Sequence, residues 1–142
     1  SATPTLYTRL GGNVGIAAIV DDWINRSMAD PRVNFVRKDV NKGGVLGVGR
    51  SSATWNGDAQ NVKMLKLHMS QFLDNATGGP IVKYQGKDRK AAHQGLQITN
   101  DEVDACIGDM KASLDAHHIP SADQEALLAI LEQTRPQVVE KR

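Results

Sequence analysis

Gly78 and Gly79 separate two helix-like stretches that each carry one histidine: His68 lies ten residues before the first glycine, and His93 closes the connector that begins there. A glycine takes positive φ readily after the last turn of a helix, so the pair lets the chain stop one helix and redirect. The whole chain holds four histidines. Two imidazoles brought face to face could hold one metal centre from both sides, because a neutral ring nitrogen is a good ligand.

Around this connector the 3.6-residue period dominates, and alternating strand patterns are absent. Ile16, Ile19, Val20 and Trp23 share one face of a segment from about Asn13 to Ala29, opened by Gly11 and Gly12, capped by Asn13 and closed before Pro31. A short turn of helix over residues 4–9 precedes it. From about Ala59 to Ala76 the period runs through Val62, Leu65, Met69, Phe72 and Leu73. Thr99 to Glu102 is a capping box that starts a helix bearing Val103, Ile107, Met110 and Leu114. Ser121 to Gln124 repeats the device before Leu127, Leu128, Ile130 and Leu131, in a last helix that closes near Pro136. Residues 37–58 read differently: five glycines with Ser51, Ser52 and Asn56 make a long loop insertion, anchored by Trp55 folding back on the body. Its Gly47-Val48-Gly49 lacks the leading strand and the lysine ending of a phosphate-binding loop. The expected fold is all-α, a single domain over 1–142, long enough to bury most of its unfolded surface.

With 17 basic and 16 acidic side chains the formal charge is +1, which gives no argument for nucleic acid. No apolar run approaches the ~20 residues that span a bilayer. The lack of a recognisable leader favours a cytoplasmic location, with a processed periplasmic form as the alternative. The polar end Val139 to Arg142 is not a basic arm. The single cysteine, Cys106, excludes an internal disulfide and reads as a buried, unreactive thiol on a helix.

Zinc needs three or four convergent ligands, and no compact grouping supplies them; haem needs only one or two axial ligands and an apolar pocket. At roughly 100° per residue, His68 falls about 70° from the centre of the Leu65, Met69, Phe72 and Ala76 stripe, on its shoulder. From there an imidazole reaches either a pocket or water. His93 has small Ala91 and Ala92 before it and apolar Leu96 and Ile98 after it, so something flat or bulky can come close. His117 and His118 read instead as the C-terminal cap of a helix, favoured by its dipole.

Leu6-Tyr7-Thr8-Arg9-Leu10-Gly11-Gly12, Val20-Asp21-Asp22-Trp23 with Ala29-Asp30-Pro31, Gly78-Gly79-Pro80 through Gly86, Ala92-His93, and Ile98-Thr99 through Asp104 occur in that order. In this the chain resembles the group 1 truncated haemoglobins over most of its length apart from the 37–58 insertion. The resemblance implies a two-over-two helical sandwich around non-covalent haem b, with His93 as the proximal iron ligand. It implies that the helix carrying Leu65, His68 and Met69 covers the distal side, with His68 as a sixth ligand in some members. Phe35 would pack on the haem edge, and Tyr84 and Lys87 would lie near the propionates. Ile24, Phe72, Leu96, Ile98, Val103 and Ile107 complete the expected contact set. No histidine lies within 122–135, where some members attach a haem vinyl.

Departures from the family pattern bear on mechanism. Ile24 stands where many members have an oxygen-stabilising tyrosine, and Leu65 and Met69 occupy positions that are often polar. Bound dioxygen carries partial negative charge, and an apolar wall offers it no donor. His68 is then the evident distal donor. The expected function is reversible binding of O2, CO or NO after His68 lets go. The alternatives are one-electron exchange by a bis-histidyl iron and conversion of NO to nitrate, or a peroxidase-like reaction, with a reductase as partner. The missing tyrosine at Ile24 weakens the enzymatic readings.

Overall fold

The computed structural model describes residues 3–42, 51–80 and 86–140. Among them lie six helices: α1 (Leu6–Arg9), α2 (Gly12–Ala29), α3 (Ala59–Ala76), α4 (Arg89–His93), α5 (Asn100–Ala116) and α6 (Ser121–Val138). A two-residue antiparallel ribbon, β1 (Asn41–Lys42) with β2 (Ser51–Ser52), pairs Asn41 with Ser52 inside the stretch expected to be plain loop. Two residues per strand are too few to leave an alternating pattern, which is why the sequence hides them.

The helix starts follow capping chemistry with two corrections. Thr5, Asp58 and Thr99 each accept a backbone N–H from the first turn of α1, α3 and α5, and at α5 Glu102 reaches back to the Thr99 amide at 2.9 Å. Asn13, however, does not cap α2. Gly11, at φ +95°, bends the chain into the helix two residues earlier, and the Asn13 amide donates to Asp74 Oδ2 of α3 at 2.8 Å. The second capping box does not form either. Ser121 is already helical, and the Gln124 side-chain amide is taken by Asp115 Oδ1 and the Ile119 carbonyl, both at 2.9 Å. α6 closes near Pro136 as expected, running two residues past it to Val138; only one ladder donor is lost, and the Val139 amide still reaches the Arg135 carbonyl at 2.9 Å.

α2 is the hub. It packs against α3 and α5, while α6 packs on α5, so α2–α3 and α5–α6 stack two over two. Its face of Ile16, Ile19, Val20, Trp23 and Ile24 meets Leu73, Met110, Leu114, Leu127 and Leu131 in one buried cluster. Each such side chain removed from water contributes about 1.5–3 kcal/mol. Polar links fix the register: Trp23 Nε1 donates to the Cys106 carbonyl at 3.0 Å, and Ser113 Oγ to the Ile19 carbonyl at 3.2 Å. Cys106 itself is half-buried, with burial pushing its thiol pKa up despite a contact to Ser27 Oγ at 3.5 Å.

The two glycines after α3 do different work. Gly78 sits at φ +91°, a left-handed conformation that L side chains rarely adopt. Gly79 is needed for space: a Cβ there would meet the Tyr7 ring at 2.5 Å and the Asp74 carbonyl at 2.8 Å. The Tyr7 amide donates to the Thr77 carbonyl at 2.9 Å, so α1 is bound directly to the end of α3.

The insertion is anchored as Trp55 suggested. Its ring meets Phe35 edge-on with centroids 5.9 Å apart, and its amide donates to the Val36 carbonyl at 2.8 Å. The glycines at 43, 44, 47 and 49 lie outside the described residues.

Candidate functional site

His93 is the last residue of α4, a helix of five residues with none of them buried. An isolated helix this short is unstable in water, so its position is imposed by its surroundings. Asp88 caps it by accepting the Ala91 amide, and α4 rests on α6. His93 is half-buried, and its Nδ1 lies 2.7 Å from the Arg89 carbonyl oxygen. A carbonyl can only accept, so Nδ1 carries the proton and Nε2 keeps its lone pair. That is the tautomer a ligand histidine needs.

The segment that follows is held at nearly every backbone group. Arg37, only 5% exposed, donates to the carbonyls of Leu96 (3.1 Å) and Gln97 (3.3 Å) and to Glu102 Oε2 (2.8 Å). Burial alone would raise the Glu102 pKa, but the Arg37 and Thr99 hydrogen bonds hold it below the ordinary range. From the other edge, Glu140 accepts the amides of Gly95 (3.0 Å) and Gln97 (2.9 Å), and its own amide donates to the Ile98 carbonyl at 3.0 Å. Neither Arg37 nor Glu140 stands in a helix pattern. Both bonds cross long sequence separations, so nothing local marked them.

His68 lies midway along α3, half-buried, as its place on the shoulder of the apolar stripe suggests. Leu65, Met69 and Phe72 on the same helix are also half-buried, as are Phe35, Leu96, Ile98 and Ile107. The Arg89 guanidinium lies over the Phe72 ring at 4.4 Å, which bridges α3 to α4. Ile24 and Val103 are instead buried in protein, at 1% and 9% exposure. Lys87 is exposed just before α4, and Tyr84 lies outside the described residues. His117 caps α5, with Nδ1 2.8 Å from the Ser113 carbonyl.

This donor set fits haem better than a bare cation. One histidine has a free ring nitrogen of fixed tautomer, and seven apolar side chains named above are only partly covered by protein. No grouping of three or more His, Cys, Asp or Glu side chains could hold a metal ion among the described residues. A cavity of about 190 Å³ lies against Lys90, His93, Gln94 and the end of α6, including Glu140. A larger groove of about 560 Å³ between α2 and α3, lined by Asp21, Asn25, Met28 and Lys66, touches neither histidine.

A second polar cluster joins the end of α2 to α5. Asp109 is 9% exposed and its Oδ2 has no hydrogen-bond partner; Arg32 pairs with Asp30 at 2.8 Å and stands 4.0 Å from Asp109. Burial and the adjacent Asp30 carboxylate push the Asp109 pKa up to about 6, while Arg32 holds Asp30 well below the usual range.

The sequence profile described as bacterial-like globin matches residues 54–140. A group 1 truncated hemoglobin from Tetrahymena pyriformis is 26% identical over 137 residues, 96% of either chain. Another, GlbN of Mycolicibacterium paratuberculosis, is 25% identical over 94% of this chain and 83% of its own. The solved Fe(III) form of the Tetrahymena pyriformis protein superposes with a TM-score of 0.75, at 25% identity, covering 97% of this chain and all of that one. A group II truncated hemoglobin from Bacillus anthracis shares the fold, with a TM-score of 0.75 at 18% identity over 99% of this chain and 95% of its own.

Proposed function

This chain belongs to the bacterial-like globin family, whose fold carries haem, and on that premise we propose that it reversibly binds O2, CO or NO at an iron held by His93. The observation that carries the reading is the Nδ1–Arg89 carbonyl contact, which leaves Nε2 as the ligating atom. Haem b, held by His93, would supply the iron that a diatomic gas takes as its partner. The chain's own residues do the rest. Phe35, Leu65, Met69, Phe72, Leu96, Ile98 and Ile107 offer apolar surface that excludes water from such a group. Lys87, with Tyr84, would donate to the propionates.

From α3, His68 would also hold the iron, and gas would have to displace it. Ile24, Leu65 and Met69 have no hydrogen to give, so His68 is also the donor to bound gas. Apparent gas affinity then falls by the fraction of time His68 occupies the iron. The same apolar distal wall favours a second reading, one-electron exchange by a bis-histidyl iron served by a reductase, in which no gas need bind.

Visible spectra test both. His93→Ala should lose the Soret band of bound haem, and His68→Ala should convert a low-spin ferric spectrum to high-spin. Ferrous protein that took up no CO would overturn gas binding and leave electron exchange. A high-spin wild type, unchanged by His68→Ala, would remove His68 from the iron.

A further inference from the structure

α4 cannot hold His93 by itself: it has five residues and buries none of them. Gly95 and Gln97, close behind His93, sit at φ +83° and +55°, and the second is costly for a side-chain-bearing residue. Such a backbone persists only if its surroundings over-determine it. Here they do, through opposite charges on opposite edges. Arg37 draws the carbonyls of Leu96 and Gln97 toward the body, and Glu140 draws the amides of Gly95 and Gln97 toward the end of α6. The Leu96 amide closes back on the His93 carbonyl at 3.2 Å. Gln97 also reaches forward with its side-chain amide to the Asn41 carbonyl at the start of the ribbon.

We propose that Arg37 and Glu140 are positioning residues for His93, a charged clamp that fixes the tilt of its imidazole and so sets how firmly it holds the iron. The proposal rests on the reading of His93 as the iron ligand. Glu140 also borders the cavity that contacts His93, so loss of its carboxylate frees the histidine on the side where space exists. Charge-assisted bonds to backbone amides are the stronger kind, which is why a single exposed carboxylate can matter here.

Glu140→Ala is the variant to make, since Glu140 is exposed and its loss leaves the buried cluster intact. The full chain, loaded with haem, is read by the Fe–His stretching band of the photolysed CO complex and by haem transfer to excess apomyoglobin. In the alanine variant the band should shift or broaden and transfer should quicken roughly tenfold, as loss of two charge-assisted bonds implies. The Gly95 and Gln97 amides should exchange faster with solvent. Glu140→Gln, which keeps one acceptor oxygen, should fall between, and Arg37→Lys should move the same band. An unchanged band with faster amide exchange would overturn the proposal, because the clamp would then hold backbone without aiming the histidine. A His93→Ala protein that kept the wild-type band would bring down the underlying ligand assignment instead.

Discussion

Asp109→Asn should make the protein more stable at neutral pH and do so much less in mild acid. The Asp109 carboxyl, pushed up to about 6 from 3.8, holds a proton in the folded state at pH values where the unfolded chain has released it. A raised carboxyl contributes most below the unfolded value, and that contribution drains away as pH climbs through 4 to 6. The gap of roughly two units corresponds to about 3 kcal/mol at most, at 1.36 kcal/mol per unit. Asp30, depressed by Arg32, acts in the opposite sense but only below pH 4, so the two windows do not overlap. Asparagine has the shape of the protonated acid, can donate to Asp30, and carries no charge to bury. Urea denaturation of wild type and variant at pH 4.5 and 7.5 measures the difference directly, and titrating groups away from the Asp30–Asp109 pair cancel in the subtraction. The expected gain is about 3 kcal/mol at most at pH 7.5 and about 1 kcal/mol at pH 4.5, where part of the penalty is already in place. Equal effects at both values would refute a raised Asp109 carboxyl.

Gly79→Ala should cost about 1–3 kcal/mol in denaturant unfolding, because its Cβ meets both the Tyr7 ring and the Asp74 carbonyl, whereas Gly78→Ala should cost about 1 kcal/mol for conformation alone. Equal, negligible losses would contradict that division. Glu102→Ala removes the α5 capping box and leaves Arg37 buried without its carboxylate, so a loss of about 3 kcal/mol is expected from thermal unfolding, with Glu102→Gln milder. Cys106 should react with a thiol reagent at pH 8 much more slowly folded than in urea, since burial raises its pKa; similar rates would show that the thiol is open.

The long helices were legible because each carries an apolar stripe and local stop signals: α3 runs over the residues its period marked, and Thr99 caps α5 as its sequence says. Errors arose where a local signal competed with a distant partner. Asn13 and Gln124 have the chemistry of caps, yet Asp74 and Asp115 claim their side chains. The two histidines stood out because histidine is scarce and the glycine pair sets them apart. What holds His93 in place was not legible. Arg37 lies in a loop with no period, and Glu140 in a polar end that looks spent; only folding brings both to residues 95–97. Ile24 was legible as an apolar position on the buried face of α2, and the structure packs it into the core at 1% exposure.

The central placement of α2 has a consequence for synthesis in the cell. Its apolar face is complete by residue 30, but the Ser113 that bonds Ile19 lies 94 residues further on; at about 5–20 residues per second, that partner trails by roughly 5–20 s. α3 arrives sooner but brings only Leu73 to the fully buried cluster. For those seconds Ile16, Ile19, Val20, Trp23 and Ile24 form a sticky stripe on a nascent chain. A chaperone that holds short apolar segments should therefore engage residues 16–24 first and release them once α5 has left the ribosome.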